Sequence, residues 1–301
     1  MGRGLRRALF AVLLVGGSGL SAPALACPTC TCGNPAMTAM GAEQPFSNRV
    51  RLAATARAWE QTQGVDGLDA VRLREVRLDL TGSWSPTDWF TLSMNLPLQL
   101  REQREVNLAR EVAAGLGDAD VAARFVVAGR GRMRPPALVS VIAGARLPTS
   151  PTLFDRDRRA LSLDAQLGPG SLAPQLGVAW SGFFGDRWSA MASLLGELPL
   201  QGRFGFRLGP SAVLVSLAQF QPVRWLGVRA GVDARVEGPS LVDGRADPSL
   251  SGFLGSALAD VVFGLGSRVL LLVGVRAPLV DLRVGPVRTL PILVSSVVVD
   301  L

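Results

Sequence analysis

The 301-residue chain has no histidine, lysine or tyrosine, and only three cysteines. Without histidine, Ser-His-Asp and Cys-His nucleophilic sites and His-ligated metal centres are excluded within the chain. No pair of carboxylates stands out for acid–base work either, so nothing here points to an enzyme. The absence of lysine makes all 31 basic residues arginine, a bias that the codons of a GC-rich genome produce on their own. The formal charge of +7 falls when Arg3, Arg6 and Arg7 depart with a leader, leaving 28 arginines against 24 acids, or +4. That balance does not suit a nucleic-acid partner.

Also missing is a membrane helix. Behind residue 26 no segment resembles the ~20-residue apolar run that a bilayer requires. The longest uncharged stretch, Ala165 to Gly185, contains Gly168, Pro169, Gly170, Pro174 and Gly177, which break helices. The apolar run that does exist is at the front. Arg3, Arg6 and Arg7 precede "ALFAVLLVGG", and Ala24-Leu25-Ala26 follows as a small-residue cleavage site. These features divide the chain into an export signal (1–26), a periplasmic cysteine-containing segment (27–47) and a strand-rich body (48–301).

What is present in the body is alternation with period 2. In "LGVRAGVDARV", Leu226, Val228, Ala230, Val232, Ala234 and Val236 share one face, opposite Arg229, Asp233 and Arg235. Val50, Leu52, Ala54 and Ala56 oppose Arg51, Thr55 and Arg57, and Leu92, Met94, Leu96 and Leu98 oppose Ser93, Asn95 and Gln99. Val121, Ala123, Phe125 and Val127 oppose Asp118, Asp120 and Arg124 in the same way. About twelve such strands are predicted, joined alternately by tight turns ("FGD", "QP", "GLGS") and longer connections ("REQREVNLAREVAAG", "PTSPTLFDRDRRA", "EGPSLVDGRADPSL"). Regular alternation of this kind predicts an all-β, antiparallel, up-and-down transmembrane barrel of about 12 strands in the bacterial outer membrane. A soluble sandwich or lipocalin-like barrel is the alternative. Both termini and the cysteines would then lie on the periplasmic side. Trp59, Trp84, Trp89, Trp180, Trp188 and Trp225 are the candidates for its aromatic girdles.

The stretches "GLGDADVAARFVV" (115–127), "ARLPTSPT" and "QLGPGSLAPQLGVAWS" resemble the bacterial outer-membrane barrel family named after meta-pathway phenol-degradation proteins, described as transporters. The resemblance spans about residues 45 to 301 and implies a barrel that takes up small molecules, with no catalytic residue. Two departures are Ser150, where the pattern after "LPT" has glycine, and Leu301 in place of a terminal aromatic.

Two sets of residues are candidates for function. Cys27, Cys30 and Cys32 offer thiolates that suit Cu(I) or another soft ion without a fourth ligand. Alternatively, Cys27 and Cys30 close a disulfide in an oxidising compartment, or Cys27 carries a lipid. The inward faces bring together Arg51, Arg57, Arg77, Arg124, Arg146, Arg229, Arg235 and Arg276 with Glu75, Asp79, Asp118, Asp120 and Asp233. These form either a salt-bridged wall or an arginine-lined path for anions. The functional expectation is a channel or transporter for small solutes, with outer-membrane lipid around it and a periplasmic thiol segment. The alternative is a non-transporting barrel whose thiols serve a periplasmic metal or redox protein.

Overall fold

The computed structural model describes residues 47–301, apart from 66–67, 107–108, 130–135, 156, 249–250 and 267. The predicted leader and all three cysteines lie outside the described residues. Seventeen β segments follow in order: β1 (Arg49–Gln63), β2 (Val71–Ser85), β3 (Phe90–Arg104), β4 (Arg110–Leu116), β5 (Ala119–Ala128), β6 (Ala137–Leu147), β7 (Ala173–Phe184), β8 (Trp188–Glu197), β9 (Phe206–Arg207), β10 (Ser211–Val223), β11 (Leu226–Glu237), β12 (Ser240–Val242), β13 (Arg245–Asp247), β14 (Gly252–Leu265), β15 (Val269–Asp281), β16 (Val287–Thr289) and β17 (Ile292–Asp300).

Each wall strand pairs antiparallel with its sequence neighbour. The circle closes where β1 pairs with both β2 and β17. β4 and β5 are two halves of one wall strand, both paired with β3, and β16 and β17 are halves of another, both paired with β1. The result is a closed twelve-stranded barrel, which leaves no sheet edge around its waist. β9, β12 and β13 form a separate three-stranded sheet in the connections at the end away from the termini.

The faces are inverted relative to a water-soluble protein. Outward Leu176 is 66% exposed, whereas its inward neighbour Gln175 is 7% exposed. Leu52, Leu80, Leu98, Val228, Val273 and Leu293 likewise stand exposed outside, while Arg57, Asp79, Arg146 and Arg229 are buried inside. A continuous apolar exterior of this extent is untenable in water and is what hydrocarbon requires.

Connections differ in part from the expectation. At the end carrying the termini they are short throughout. At the other end 148–172, 198–210 and 238–251 are long, but 64–70, 105–109 and 282–286 are short. The predicted long connection "REQREVNLAREVAAG" is mostly strand, because β3 continues to Arg104 and β4 starts at Arg110. The alternation persists there with charges on the outer face, at Glu102 and Arg104. β1, β2 and β3 are each 15 residues long, beyond the 9–11 that cross a bilayer, so apolar outward residues are no longer needed.

Five tryptophans sit as a girdle should, outside and toward the end that carries the termini. Trp84, Trp89, Trp180, Trp188 and Trp225 are exposed there, accompanied by Phe125 on Trp89 and Phe220 on Trp188. Trp59 is the exception. It shares the inward parity of Arg57 and Gln61 and packs on Leu272, Ile292 and Val294.

Candidate functional site: the lumen and its inserted loop

One half of the inner wall, from β1 to β8, is polar. Arg57 and Arg77 converge on Asp79, which is fully buried and also accepts from the Asn95 amide at 3.1 Å. Further along, Arg146 donates to both oxygens of Glu197 at 2.9 Å and reaches Asp120 at 3.3 Å. Gln175 ties the two carboxylates together, at 3.0 Å to Glu197 and 3.2 Å to Asp120. Arg51 meets Asp300 at 2.6 Å across the β1–β17 seam, and Arg124 donates to Ser140 at 3.0 Å. A buried charge persists only when paired and hydrogen-bonded, and the ion pairs among these meet that condition.

The other half, from β8 round to β17, carries two aliphatic clusters inside. Met191, Val215, Leu217 and Leu258 pack together with Val213, and Leu272, Ile292 and Val294 pack with Val262 and Trp59. Ion pairs interrupt it, among them Arg229 with Asp260 at 2.8 Å, Arg276 with Asp233 at 3.5 Å, and Arg235 with Glu237. A cavity of about 320 Å³ opens at the end carrying the termini. Gln219, Arg229, Val262, Leu270 and Val298 line it, so it is polar on one side and aliphatic on the other.

The connection 148–172 folds into the barrel against β3 and β4. Ala165, Gln166 and Leu167 are buried, and a β-carbon on Gly115 of β4 would lie 3.3 Å from the Leu167 side chain. Arg101, 1% exposed, grips this segment. Its guanidinium pairs with Glu75 at 2.6 Å and donates to the carbonyls of Asp164, at 3.1 Å, and Gln166. Ser162 donates to Glu111 on β4, and Gln166 closes the loop on itself through the backbone of Leu153 and Leu161.

The root of the loop is held at the break between β4 and β5. Asp118 accepts from the Ser150 backbone N–H at 2.9 Å, the Ser150 hydroxyl at 2.6 Å and the Gly170 N–H at 3.0 Å. One carboxylate therefore joins both ends of the loop to the wall. Thr149 repairs the interrupted ladder by accepting from the Ala119 N–H and donating to the Gly117 carbonyl. Gly170 has φ +59°, a left-handed conformation that favours glycine, and the Arg203 side chain packs where a β-carbon would sit. Arg203 in turn donates to the carbonyls of Ser150 and Pro151. Ser150 thus does not disturb the "LPT" loop, since its hydroxyl adds a bond that glycine lacks.

All thirteen charged residues singled out in the sequence face inward. They do not converge on one centre. Arg57, Arg77 and Asp79 form one group, Arg146 and Asp120 a second, and Asp118 belongs to the loop anchor. Among the residues that sequence reading missed are Arg101, Glu197 and Asp260. The last two fit the inward parity of β8 and β14 and supply the missing partners of Arg146 and Arg229. Among the described residues no cluster of three or more Cys, Asp or Glu is arranged to hold a metal.

A closed, inside-out barrel of this kind is an outer-membrane β-barrel, and its place is the bacterial outer membrane. No protein-family model and no curated protein sequence matches the chain. Among solved structures it is similar to an outer membrane channel from Pseudomonas putida F1, with a TM-score of 0.66 and 14% identity over 86% of this chain and 97% of that one. It also aligns with the translocator domain of the autotransporter NalP from Neisseria meningitidis (TM-score 0.46, 12% identity, 87% and 91% covered). For a mutant of the monoaromatic hydrocarbon channel TodX the values are 0.47, 9%, 89% and 93%. The likeness to the first is one of fold.

Proposed function

We propose that this protein is an outer-membrane channel for small solutes, with the loop 148–172 as its constriction. The observation that carries the reading is the two-sided inner wall. A single lumen joins hydrogen-bonded polar groups on β1–β8 to aliphatic side chains on β10–β17. Such a wall favours uncharged solutes with one apolar and one polar face over simple ions, because most of the inward charges named above are paired with one another. In this reading the inward arginines and carboxylates named from the sequence are the wet, rigid side of the passage. The similar fold of the Pseudomonas putida channel supports it. The test is uptake into liposomes that contain the purified protein. Neutral amphipathic solutes are expected to enter faster than anions of equal size, and a barrel that passes neither class refutes the channel.

The same proposal extends to the residues before the barrel. Residues 1–26 are removed on export, and the segment 27–47 presents Cys27, Cys30 and Cys32 in the periplasm to a soft metal such as Cu(I) or to a periplasmic redox protein. Three thiols within six positions favour this reading. Replacing all three with serine is expected to abolish Cu(I) binding by the purified protein. Unchanged binding would leave the thiols as a staple or anchor.

A further inference from the structure

The outer face of β16, β1, β2, β3 and β4 changes character abruptly toward the end away from the termini. Cross-strand register places Leu293, Ala58, Val76, Leu100 and Ala114 in one lipid-facing row. Two residues further along, the next outward row contains Glu60, Arg74 and Glu102. The row beyond runs Arg288, Thr62, Arg72, Arg104 and Arg110. Five outward arginines thus face two outward glutamates, a local excess of +3 at the boundary of the apolar band.

The glutamates act as spacers. Glu60 bridges Arg72 at 3.3 Å and Arg74 at 2.6 Å, while Glu102 joins Arg104 and Arg110. The four arginine side chains remain about half exposed, from 48% to 57%. Between them and the apolar row lies an outward cleft of about 500 Å³, lined by Arg74, Glu102 and Arg110 above and Val76, Leu100 and Leu293 below. The opposite rim is built differently, from exposed Trp84, Trp188 and Trp225.

We propose that this cleft is a binding site for a phosphorylated lipid of the outer leaflet, with the lipid phosphate on Arg72, Arg74, Arg104 and Arg110 and the acyl chain on Val76, Leu100 and Leu293. Guanidinium groups held in a row match phosphate oxygens through paired N–H donors. The aliphatic floor is a surface that an acyl chain covers and a purely ionic ligand does not, and an aromatic rim would suit a zwitterionic leaflet equally well at either end. The site fixes orientation too, placing the arginine end in the outer leaflet and the termini in the periplasm. It does not depend on solute passage, so a barrel that conducts nothing leaves it standing.

The experiment is native mass spectrometry of the full mature protein in detergent, titrated with lipid A bearing both phosphates and with the same lipid dephosphorylated. Phosphorylated lipid A is expected to bind about tenfold more tightly, the worth of one charge-assisted hydrogen bond. It should also remain bound under excess inorganic phosphate. The combined R72Q, R104Q and R110Q variant is expected to lose the preference, and R224Q at the other rim to keep it, with heat-modifiable migration confirming that both fold. Equal binding of the two lipids by the wild type overturns the proposal whether or not the variants fold. Displacement by inorganic phosphate would reduce the site to an anion patch and overturn it as well.

Discussion

Asp79 shows what a single residue does in this interior. It is fully buried and is the common acceptor for Arg57, Arg77 and Asn95. Two guanidiniums beside each other repel, and only the carboxylate between them makes their burial tolerable. Asp79→Asn keeps the shape and removes the negative charge that Arg57 and Arg77 share. Breaking a buried pair in this way costs about 3–5 kcal/mol. The folded, heat-resistant band on a gel is therefore expected to disappear at a markedly lower temperature than for the wild type. An unchanged transition would mean that lumen water already screens the pair. The Asp79 parity was readable from "VRLREVRLDL", where charge and leucine alternate. Its partners on the neighbouring strands were not, because register is a property of the assembled sheet.

Elements carry information that alternation hides. Strand β15, "VLLLVGVRAPLVD", is apolar on both faces for most of its length, so period 2 marks neither side and the aliphatic half of the lumen could not be read from it. The inward position of Trp59 was hidden for the same reason, since an aromatic suits both an interface and a core. The inserted loop is the clearest case. Its "GPG" sequence signals only irregular backbone, whereas its location is set by Asp118, some fifty residues earlier. Asp118→Ala removes three acceptor contacts at once and loosens both ends of 148–172. Single-channel conductance in planar bilayers is expected to rise and grow noisier as the segment leaves the lumen. Ser150→Gly should have a smaller effect, because the Ser150 backbone N–H contact at 2.9 Å survives. Equal conductance in Asp118→Ala and wild type would show that Arg101, Ser162 and Thr149 hold the loop in place without Asp118.

Over the whole molecule, selectivity is the sum of the inward charges. The sequence listed eight inward arginines and five acids, an apparent surplus that made an anion path plausible. The assembled barrel adds Glu197, Asp260, Asp300 and Glu237 as partners for Arg146, Arg229, Arg51 and Arg235. The surplus is thereby neutralised locally, and weak charge selectivity is expected despite the arginine-rich composition. Glu197 is the sharpest place to disturb that balance, since both of its oxygens hold Arg146 and one holds Gln175. Glu197→Gln leaves Arg146 with Asp120 at 3.3 Å and adds one positive charge to the lumen. A unit charge acting at 4 Å in water-like surroundings is worth about 1 kcal/mol, roughly a fivefold change in a permeability ratio. Under a potassium chloride gradient, the reversal potential of Glu197→Gln is therefore expected to move toward the chloride equilibrium potential. The shift should fade as salt rises and the Debye length shrinks to about 3 Å near 1 M. A reversal potential that stays put at low salt would place Arg146 outside the conducting path and confine passage to the aliphatic side of the wall.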